Sequence, residues 1–220
     1  MISVVILTKN EEKNIVDCLE SINWVDEIVV IDDFSTDRTL EVINNLNLKN
    51  IKIYKRHLDG DFSAQRNFAV SKAKYEWILF LDSDERVSSE LREEINTVLI
   101  EEKVSSKRDG FLISRRDFMW NKMIKHGESG NIKLLRLGRK NKGLWRGKVH
   151  EVWLIENNIS ELDNYLLHYP HPTISEFLKE INFYTTLRSK ELYSQKIEVR
   201  WYDLILYPKI KLLFPLPSGY

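Results

Sequence analysis

The chain has 220 residues, of which 43% are hydrophobic and 30% are charged, a composition typical of a folded domain and not of a disordered protein. Lysine plus arginine and aspartate plus glutamate both number 33, so the net charge gives no reason to expect a nucleic-acid partner. The single cysteine, Cys18, excludes an intrachain disulfide and a multi-cysteine zinc site, and it fits a reducing compartment.

The first hundred residues alternate short apolar runs with helical patterns. This alternation is typical of the α/β class and predicts a mainly parallel sheet flanked by helices. Asn10 is expected to cap the first helix, and Cys18 to lie on the buried face of that helix. Strands are expected at 4–7, 28–31, 51–54 and 77–81, and helices after 10, after 35, at 63–72 and from Ser88 or Ser89.

The pattern changes after about residue 107. Apolar runs at 111–113, 134–137 and 152–155 predict strands with no regular helix between them. We therefore expect a smaller mixed half, a meander packed beside the first half. A further helix is expected at 175–191.

Polar clusters follow three of the predicted buried strands. They begin at Thr8, at Asp32 and at Asp82. Because ligands of open parallel sheets bind beyond the carboxyl ends of the strands, we expect these clusters to converge on one edge.

Asp82 and Asp84 lie two residues apart where the buried strand ends. Such an oxygen-rich pair suits Mg²⁺ or Mn²⁺ that arrives with a phosphate substrate. The alternative is a solvated turn that caps the next helix, but the position directly after an apolar strand favours the cation. Glu85 is expected to begin that helix or to support the site.

Two further features have a structural and a functional interpretation. Asp32 and Asp33 either begin a turn or accept hydrogen bonds from a nucleobase or a ribose. Arg66 is either a surface helix residue or a clamp on a diphosphate, whose oxygens match a guanidinium group. The chain has no Gly-x-Gly-x-x-Gly after a strand and no Gly-Lys-Ser/Thr, which argues against a kinase, a P-loop ATPase and a dinucleotide dehydrogenase.

Taken together, these stretches resemble the family 2 glycosyltransferases, which have the A-type glycosyltransferase fold and use nucleotide-diphosphate sugars. The resemblance is strong from Ile2 to Val87 and weaker beyond. Within the family, the Thr8–Glu11 and Trp145–Glu151 segments are most similar to bacterial lipopolysaccharide-core β-glucosyltransferases. The segments that carry the resemblance are 2–11, 30–37, 65–67 and 81–85.

The resemblance implies roles for individual residues. Arg66 helps to hold the donor, and Glu151, by its position, is the base that deprotonates the acceptor. His150 is a further metal ligand or a support for the base, and His168 competes with it as the ligand; His171 is a weaker candidate. The residues implied in nucleotide-sugar binding are Thr8, Asn10, Glu11, Asp32, Asp33, Arg66, Asp82 and Ser83, and those implied in metal binding are Asp82 and Asp84, with Asp84 as the direct ligand.

The resemblance further implies a metal-dependent, inverting transfer of a sugar from a nucleotide-diphosphate sugar, with UDP-glucose as the default donor, to a saccharide or glycolipid acceptor. A catalytically inactive nucleotide-sugar-binding module is the first alternative, and a sugar nucleotidyltransferase is a weaker one. We expect a single domain over 1–220, with a nucleotide-sugar-binding half (1–106), an acceptor-side half (107–172) and a helical tail (173–220).

The expected location is the cytoplasm, with the inner-leaflet membrane surface as a further partner. The N-terminus has no basic region before its apolar run, so it is not expected to be a signal peptide. No window reaches the roughly 18 apolar residues of a membrane span. Relatives usually continue beyond the apolar tail at 204–215, which leaves membrane attachment open. The basic segment 122–148, with Trp120 and Trp145, either meets anionic headgroups or a phosphorylated glycolipid, or is a solvated face.

Overall fold

The computed structural model describes residues 1–119, 122–124, 132–170, 173–197, 200, 202 and 205–206. The expectations for Trp120, Lys125, His171 and the end of the apolar tail fall outside the described residues.

The described residues form strands and helices in the following order. The strands are β1 (Ile2–Thr8), β2 (Glu27–Asp32), β3 (Ile51–Lys55), β4 (Trp77–Asp82), β5 (Glu85–Val87), β6 (Gly110–Met119), β7 (Lys122–Met123), β8 (Ile132–Arg139), β9 (Gly143–Arg146), β10 (Val152–Ile155) and β11 (Ile159–His168). The helices are α1 (Ile15–Ser21), α2 (Thr39–Asn45), α3 (Phe62–Lys72), α4 (Ser89–Ser105) and α5 (Ile174–Ser194).

One large mixed sheet organises the chain, in the order β3-β2-β1-β4-β8-β6-β11-β5. The strands β3, β2, β1 and β4 are parallel to their neighbours, as predicted for the first half. Beyond β4, the strand β8 is antiparallel to β4, and β6 is antiparallel to β8. The predicted α/β class with its mainly parallel first half is confirmed.

The second half, which we expected as a meander packed beside the first half, continues the same sheet. Its strands β8, β6 and β11 extend the first sheet at the β4 edge, where Leu137 pairs with Leu79. Only β9 and β10 form a sheet of their own, an antiparallel hairpin in which Trp153 pairs with Trp145. By pairing with β4, the strand β8 covers an edge of the parallel strands that would otherwise be unpaired.

Both faces of the parallel strands are covered, which explains their continuous apolar runs. On one face, α1, α2 and α4 pack on the sheet around Ile6, Leu79 and Leu81. On the other face, α3 and the β9–β10 hairpin pack on Val5 and Phe80. Cys18 is fully buried in the first of these clusters, as predicted, and is a free thiol.

Two local predictions were wrong. Asn10 does not cap a helix, because α1 begins at Ile15; Asn10 instead adopts a left-handed backbone with φ of 57°. Its side-chain oxygen accepts the N–H of Thr36 at 2.7 Å, so it braces the loop after β2. Glu85 lies in the short strand β5 and not at the start of a helix; α4 begins at Ser89, capped by Ser88.

In the described part of the chain, no helix is both long enough and apolar enough to cross a membrane.

Candidate functional site

The predicted clusters meet at one edge of the sheet. In the strand registers, Thr8 pairs with Asp32 and Leu7 pairs with Asp82, so β1, β2 and β4 end at the same level. The carboxyl edge of the sheet therefore brings together the polar residues that follow each strand, as the strand-end rule predicts.

Asp33 lies at the β2 end of this edge with most of its surface buried. Its carboxylate accepts hydrogen bonds from Lys9 Nζ at 2.6 Å and from the Leu58 N–H at 3.1 Å. Beside it, the half-exposed ring of Phe34 stacks on His57, with ring centroids 3.9 Å apart. A carboxylate next to an exposed aromatic pair is chemically suited to a nucleoside.

Two other predicted binding residues, Asp32 and Ser83, shape this edge through contacts with the chain itself. Asp32 accepts the N–H of Ser35 at 3.1 Å and closes the turn after β2, the role that its structural interpretation gave it. Ser83 donates its hydroxyl to the Leu7 carbonyl at 2.8 Å. Thr8 differs, because its buried Oγ1 has no hydrogen-bond partner among the residues that the structure describes.

Glu11 lies at the start of the segment that leads into α1. Burial raises its pKa to about 7, repulsion from Asp84 and Glu180 adds to the increase, and a hydrogen bond from Asn14 opposes it. These carboxylates are close enough to repel one another, so Glu11 belongs to the electrostatic surroundings of Asp84.

Five charged side chains form a buried ion-pair chain beneath the edge. Arg66 donates from Nε to Glu151 at 2.7 Å and from Nη2 to Asp82 at 2.9 Å. Arg136 donates from Nη2 to the other oxygen of Asp82 at 2.6 Å and to Glu85 at 3.0 Å. The buried ion-pair chain thus runs in the order Glu151, Arg66, Asp82, Arg136 and Glu85.

The two guanidinium groups keep Asp82 ionised. Burial alone would raise its pKa, but Arg136 and Arg66 outweigh burial and hold the pKa of Asp82 well below its usual range. Burial raises the pKa of Glu85, because Arg136 compensates it only in part and Asp82 repels it. Both oxygens of Asp82 are bound to arginine. Within the described residues Asp84 has no arginine contact and pairs with His168 instead.

Asp84 pairs with an imidazole. His168 Nε2 lies 3.2 Å from Asp84 Oδ2, and His168 Nδ1 lies 2.8 Å from Asp117 Oδ1. Burial alone would lower the pKa of His168, but the two carboxylates outweigh burial and raise that pKa to about 10. The structure therefore brings His168, and not the exposed His150, against the predicted metal ligand.

The residues fit a cation that arrives with its substrate better than a resident cation. Across the described ranges there is no group of three or more histidine, cysteine or carboxylate side chains arranged to hold a metal ion. Asp84 supplies one donor, and Nε2 of His168 would supply a second after losing its proton to make room for the cation. Asp117 holds the other nitrogen of the imidazole, as an orienting carboxylate does behind a metal-bound histidine. One or two protein ligands completed by phosphate oxygens are the usual environment of Mg²⁺ in nucleotide sites.

Helix α5 lies across the same region. Its Glu176 pairs with Lys13 at 3.5 Å, and its Tyr184 ring stacks on Phe62 with centroids 5.9 Å apart. Glu191, near the end of the helix, accepts the Lys148 N–H at 3.2 Å. The helix therefore connects the α1 side of the edge to the segment that carries Glu151.

Much of the basic segment is neutralised by local partners. Lys133 pairs with Glu161, and Lys142 lies 3.8 Å from Asp109. Arg139 is buried between Glu76 and Glu102. The described part of this segment is therefore much closer to electrically balanced than its composition suggests.

Sequence reasoning missed Arg136 and Asp117, whereas support of the site was one of the two roles expected for Glu85. Arg136 had a signal, because it is a lone charge in the apolar run 134–137. Asp117 had none, because its contact with His168 spans 51 residues and depends on the pairing of β6 with β11.

A sequence model described as "Glycosyl transferase family 2" matches residues 3–156, more than half of the chain. The lipopolysaccharide core biosynthesis glycosyltransferase LpsC of Rhizobium meliloti (strain 1021) is 28% identical over 222 residues, which cover 96% of this chain and 79% of that protein. An uncharacterized glycosyltransferase of Rickettsia typhi is 28% identical over 210 residues, 88% of this chain and 68% of that protein.

Among solved structures, S. aureus TarS 1-349 in complex with UDP-GlcNAc is similar with a TM-score of 0.60 at 21% identity. The likeness covers 80% of this chain and 60% of the TarS chain, so this chain spans less than two thirds of it. At that identity the likeness establishes the fold, and the predicted A-type architecture is confirmed.

Proposed function

Because the chain belongs to the glycosyl transferase family 2 and is a glycosyltransferase, we propose that it transfers a sugar from a UDP-sugar to a saccharide acceptor with inversion at the anomeric carbon. UDP-glucose is the default donor. The pathway that we propose is synthesis of a lipopolysaccharide core or another surface polysaccharide, which is supported by the name of the LpsC relative.

The observation that carries this proposal is that two groups of charged side chains meet at the sheet edge. They are the buried ion-pair chain and the pair formed by Asp84 and His168. The buried ion-pair chain ends at Glu151, and Asp84 with His168 lies two residues beyond Asp82. A donor site needs positive charge for the diphosphate and a base for the acceptor. Arg66 supplies positive charge at this junction, and it contacts both Glu151 and Asp82. The arrangement suits stabilisation of a departing nucleoside diphosphate.

In this proposal Asp84 and His168 hold Mg²⁺ or Mn²⁺, and Asp117 orients His168 through Nδ1. The bound cation supplies positive charge to the leaving diphosphate. Asp33 and the exposed Phe34 ring receive the nucleoside, and Arg66 contacts the diphosphate. The buried Arg66 Nη1 supports this role, because within the described chain it has no hydrogen-bond partner.

Arg66 also explains how Glu151 would become a base. In the structure the Glu151 carboxylate is bound to Arg66 Nε at 2.7 Å, so the guanidinium group occupies one of the oxygens that would receive the proton. A diphosphate competes for the same guanidinium group. Donor binding would therefore weaken the Arg66–Glu151 contact and free Glu151 to take the proton of the acceptor hydroxyl.

The same ion pair favours a second candidate function. If Arg66 and Glu151 stay paired when the donor binds, the chain is a nucleotide-sugar-binding module without transfer.

The deciding experiment compares wild type with Glu151→Gln. Both proteins are incubated with Mg²⁺ or Mn²⁺ and a panel of nucleotide sugars, and donor hydrolysis and thermal shift are recorded. For an enzyme we expect a metal-dependent preference for one donor, with hydrolysis lost and the thermal shift kept in Glu151→Gln. Donor binding with no hydrolysis in either protein supports the binding module, and the absence of any donor preference or metal dependence contradicts both.

A further inference from the structure

A cavity of about 440 Å³ lies between α5 and the loop that carries His150. Its wall on the helix side is formed by Glu180, Ile181, Tyr184, Thr185, Arg188, Ser189 and Leu192. The volume falls within the roughly 300–1,000 Å³ of typical small-molecule sites. Apart from His150, none of these residues belongs to the predicted donor site.

The cavity adjoins the proposed base. His150 directly precedes Glu151 in the chain, and its backbone has a left-handed φ of 60°. On the opposite wall, burial raises the pKa of Tyr184, and so do the carboxylates of Glu180, Asp82, Asp84 and Glu151, which places the phenol within the electrostatic field of the site. A molecule in the cavity would contact His150, the residue that directly precedes Glu151.

The wall is largely apolar and also presents the few polar groups that a sugar ring requires. Tyr184 offers an aromatic ring for the apolar face of a pyranose. The hydroxyls of Thr185 and Ser189 donate to carbonyls of their own helix and keep lone pairs that accept hydrogen bonds from ring hydroxyls. The charge of Arg188 is balanced by Glu191 at 2.6 Å, so the wall has no excess of positive charge for an anionic group.

We infer that this cavity binds an uncharged pyranose unit of the acceptor and holds it beside Glu151. The inference rests on the proposed function and adds the place and the chemical class of the acceptor. Helix α5 also lies beyond residues 3–156, the part of the chain that matches the family as a whole.

Two adjacent threonines provide a matched test. Thr185 lines the cavity and Thr186 does not, while both are exposed and both donate Oγ1 at 2.6 Å to a carbonyl one turn earlier. Thr185→Trp fills the cavity, and Thr186→Trp adds the same indole elsewhere. Ser189→Phe is a second filling variant that keeps the test valid if the first misfolds.

The measurement is saturation-transfer NMR with millimolar methyl β-D-glucopyranoside, methyl α-D-mannopyranoside and methyl β-D-galactopyranoside, alongside the thermal shift caused by UDP-sugars. We expect wild type and Thr186→Trp to give pyranoside signals, the two filled variants to lose them, and all four proteins to keep the donor shift. No pyranoside signal in wild type, or an undiminished signal in both filled variants, overturns the inference.

Loss of the donor shift in the filled variants also overturns it, because the cavity would then serve the donor. Failure of the proposed function is a separate result, in which wild type shows no UDP-sugar shift and no donor hydrolysis.

Discussion

Two arginines bind the carboxylate of Asp82. This contact gives Asp82 and Asp84 different roles in the site. Arg66 and Arg136 bind different oxygens of Asp82, so Asp82 acts on the site mainly by fixing guanidinium groups. Asp84 is left to the imidazole of His168. Two carboxylates two residues apart therefore have different environments and, in the proposed mechanism, different tasks.

We predict that Arg136→Gln lowers the free energy of unfolding by about 3–5 kcal/mol, because it leaves the buried carboxylates of Asp82 and Glu85 without their shared cation. Urea denaturation measures the change. Arg146→Gln is the matched control, since Arg146 is exposed on β9. Adding Glu85→Gln to Arg136→Gln should recover part of the loss, and a double variant as unstable as the sum of the two single changes would contradict the pairing.

We predict that Asp84→Asn reduces metal-dependent donor hydrolysis by at least about a hundredfold, because the loss of a ligand weakens cation binding where leaving-group charge develops. A Mn²⁺ titration of the hydrolysis rate checks the prediction. Asp59→Asn serves as the control, since Asp59 is exposed in the loop before α3. A normal rate and an unchanged Mn²⁺ dependence in Asp84→Asn would refute the assignment of the ligand.

At the scale of elements, the β9–β10 hairpin links the core to the proposed base. Trp145 and Trp153 stack in parallel with centroids 5.9 Å apart, and each meets Phe80 of β4 edge-on. Glu151 directly precedes β10. The position of the base therefore depends on how the two indoles pack.

Gly143 is the position where this packing is most sensitive. A Cβ at residue 143 would overlap the indole of Trp153, which is 2% exposed. We predict that Gly143→Ala lowers the free energy of unfolding by about 1–3 kcal/mol through overpacking and lowers transfer activity by displacing Glu151. Thermal denaturation and a rate assay measure both effects. Leu144→Ala, at a half-exposed neighbour in the same strand, should change neither, and an equal effect in the two variants would contradict the mechanism.

The elements also differ in how well their sequences predict them. Parallel strands buried on both faces have continuous apolar runs, so β1, β2 and β4 could be predicted within a residue or two. The outermost strand β3 is indicated instead by the alternation in Ile-Lys-Ile-Tyr-Lys. β11 reads Ile-Ser-Glu-Leu-Asp-Asn-Tyr-Leu-Leu-His and is largely half-exposed, so its polar residues hide the strand. β5 has three residues and exists because β11 pairs with it, which no local pattern can indicate.

The same distinction holds within the site. The convergence of Thr8, Asp33 and Asp84 follows from the position of each at a strand end, a local property. The choice of Arg136 as the partner of Asp82 depends on how β8 aligns with β4, across 54 residues of sequence. Ion pairs of this kind become visible only when the strand register is known.

On the scale of the whole molecule, the two ends of the sheet have different functions. The carboxyl edge gathers the proposed chemistry, and the amino edge is tied by one buried residue. Glu27 of β2 accepts hydrogen bonds from Ser3 of β1 at 2.7 Å, from Lys52 of β3 at 2.8 Å and from the Lys74 N–H just before β4 at 2.6 Å. A single carboxylate thus connects all four parallel strands.

This connection makes stability depend on pH in a defined direction. Burial raises the pKa of Glu27, but hydrogen bonds from Lys52, Ser3 and Lys74 outweigh burial and hold the pKa below its ordinary value of 4.5. A carboxyl group with a depressed folded pKa stabilises the fold fully above its unfolded pKa, and the contribution is lost as the pH falls through the folded pKa.

We predict that Glu27→Gln lowers the free energy of unfolding by about 2–4 kcal/mol at neutral pH, and that its difference from wild type shrinks as the pH falls below 4.5. Urea denaturation from neutral pH down to pH values below that point measures both effects. Glu41→Gln removes an exposed pair with Arg38 and should leave stability unchanged at every pH, whereas a Glu27→Gln difference that stays constant into acid would show that the carboxylate charge is not what ties the strands.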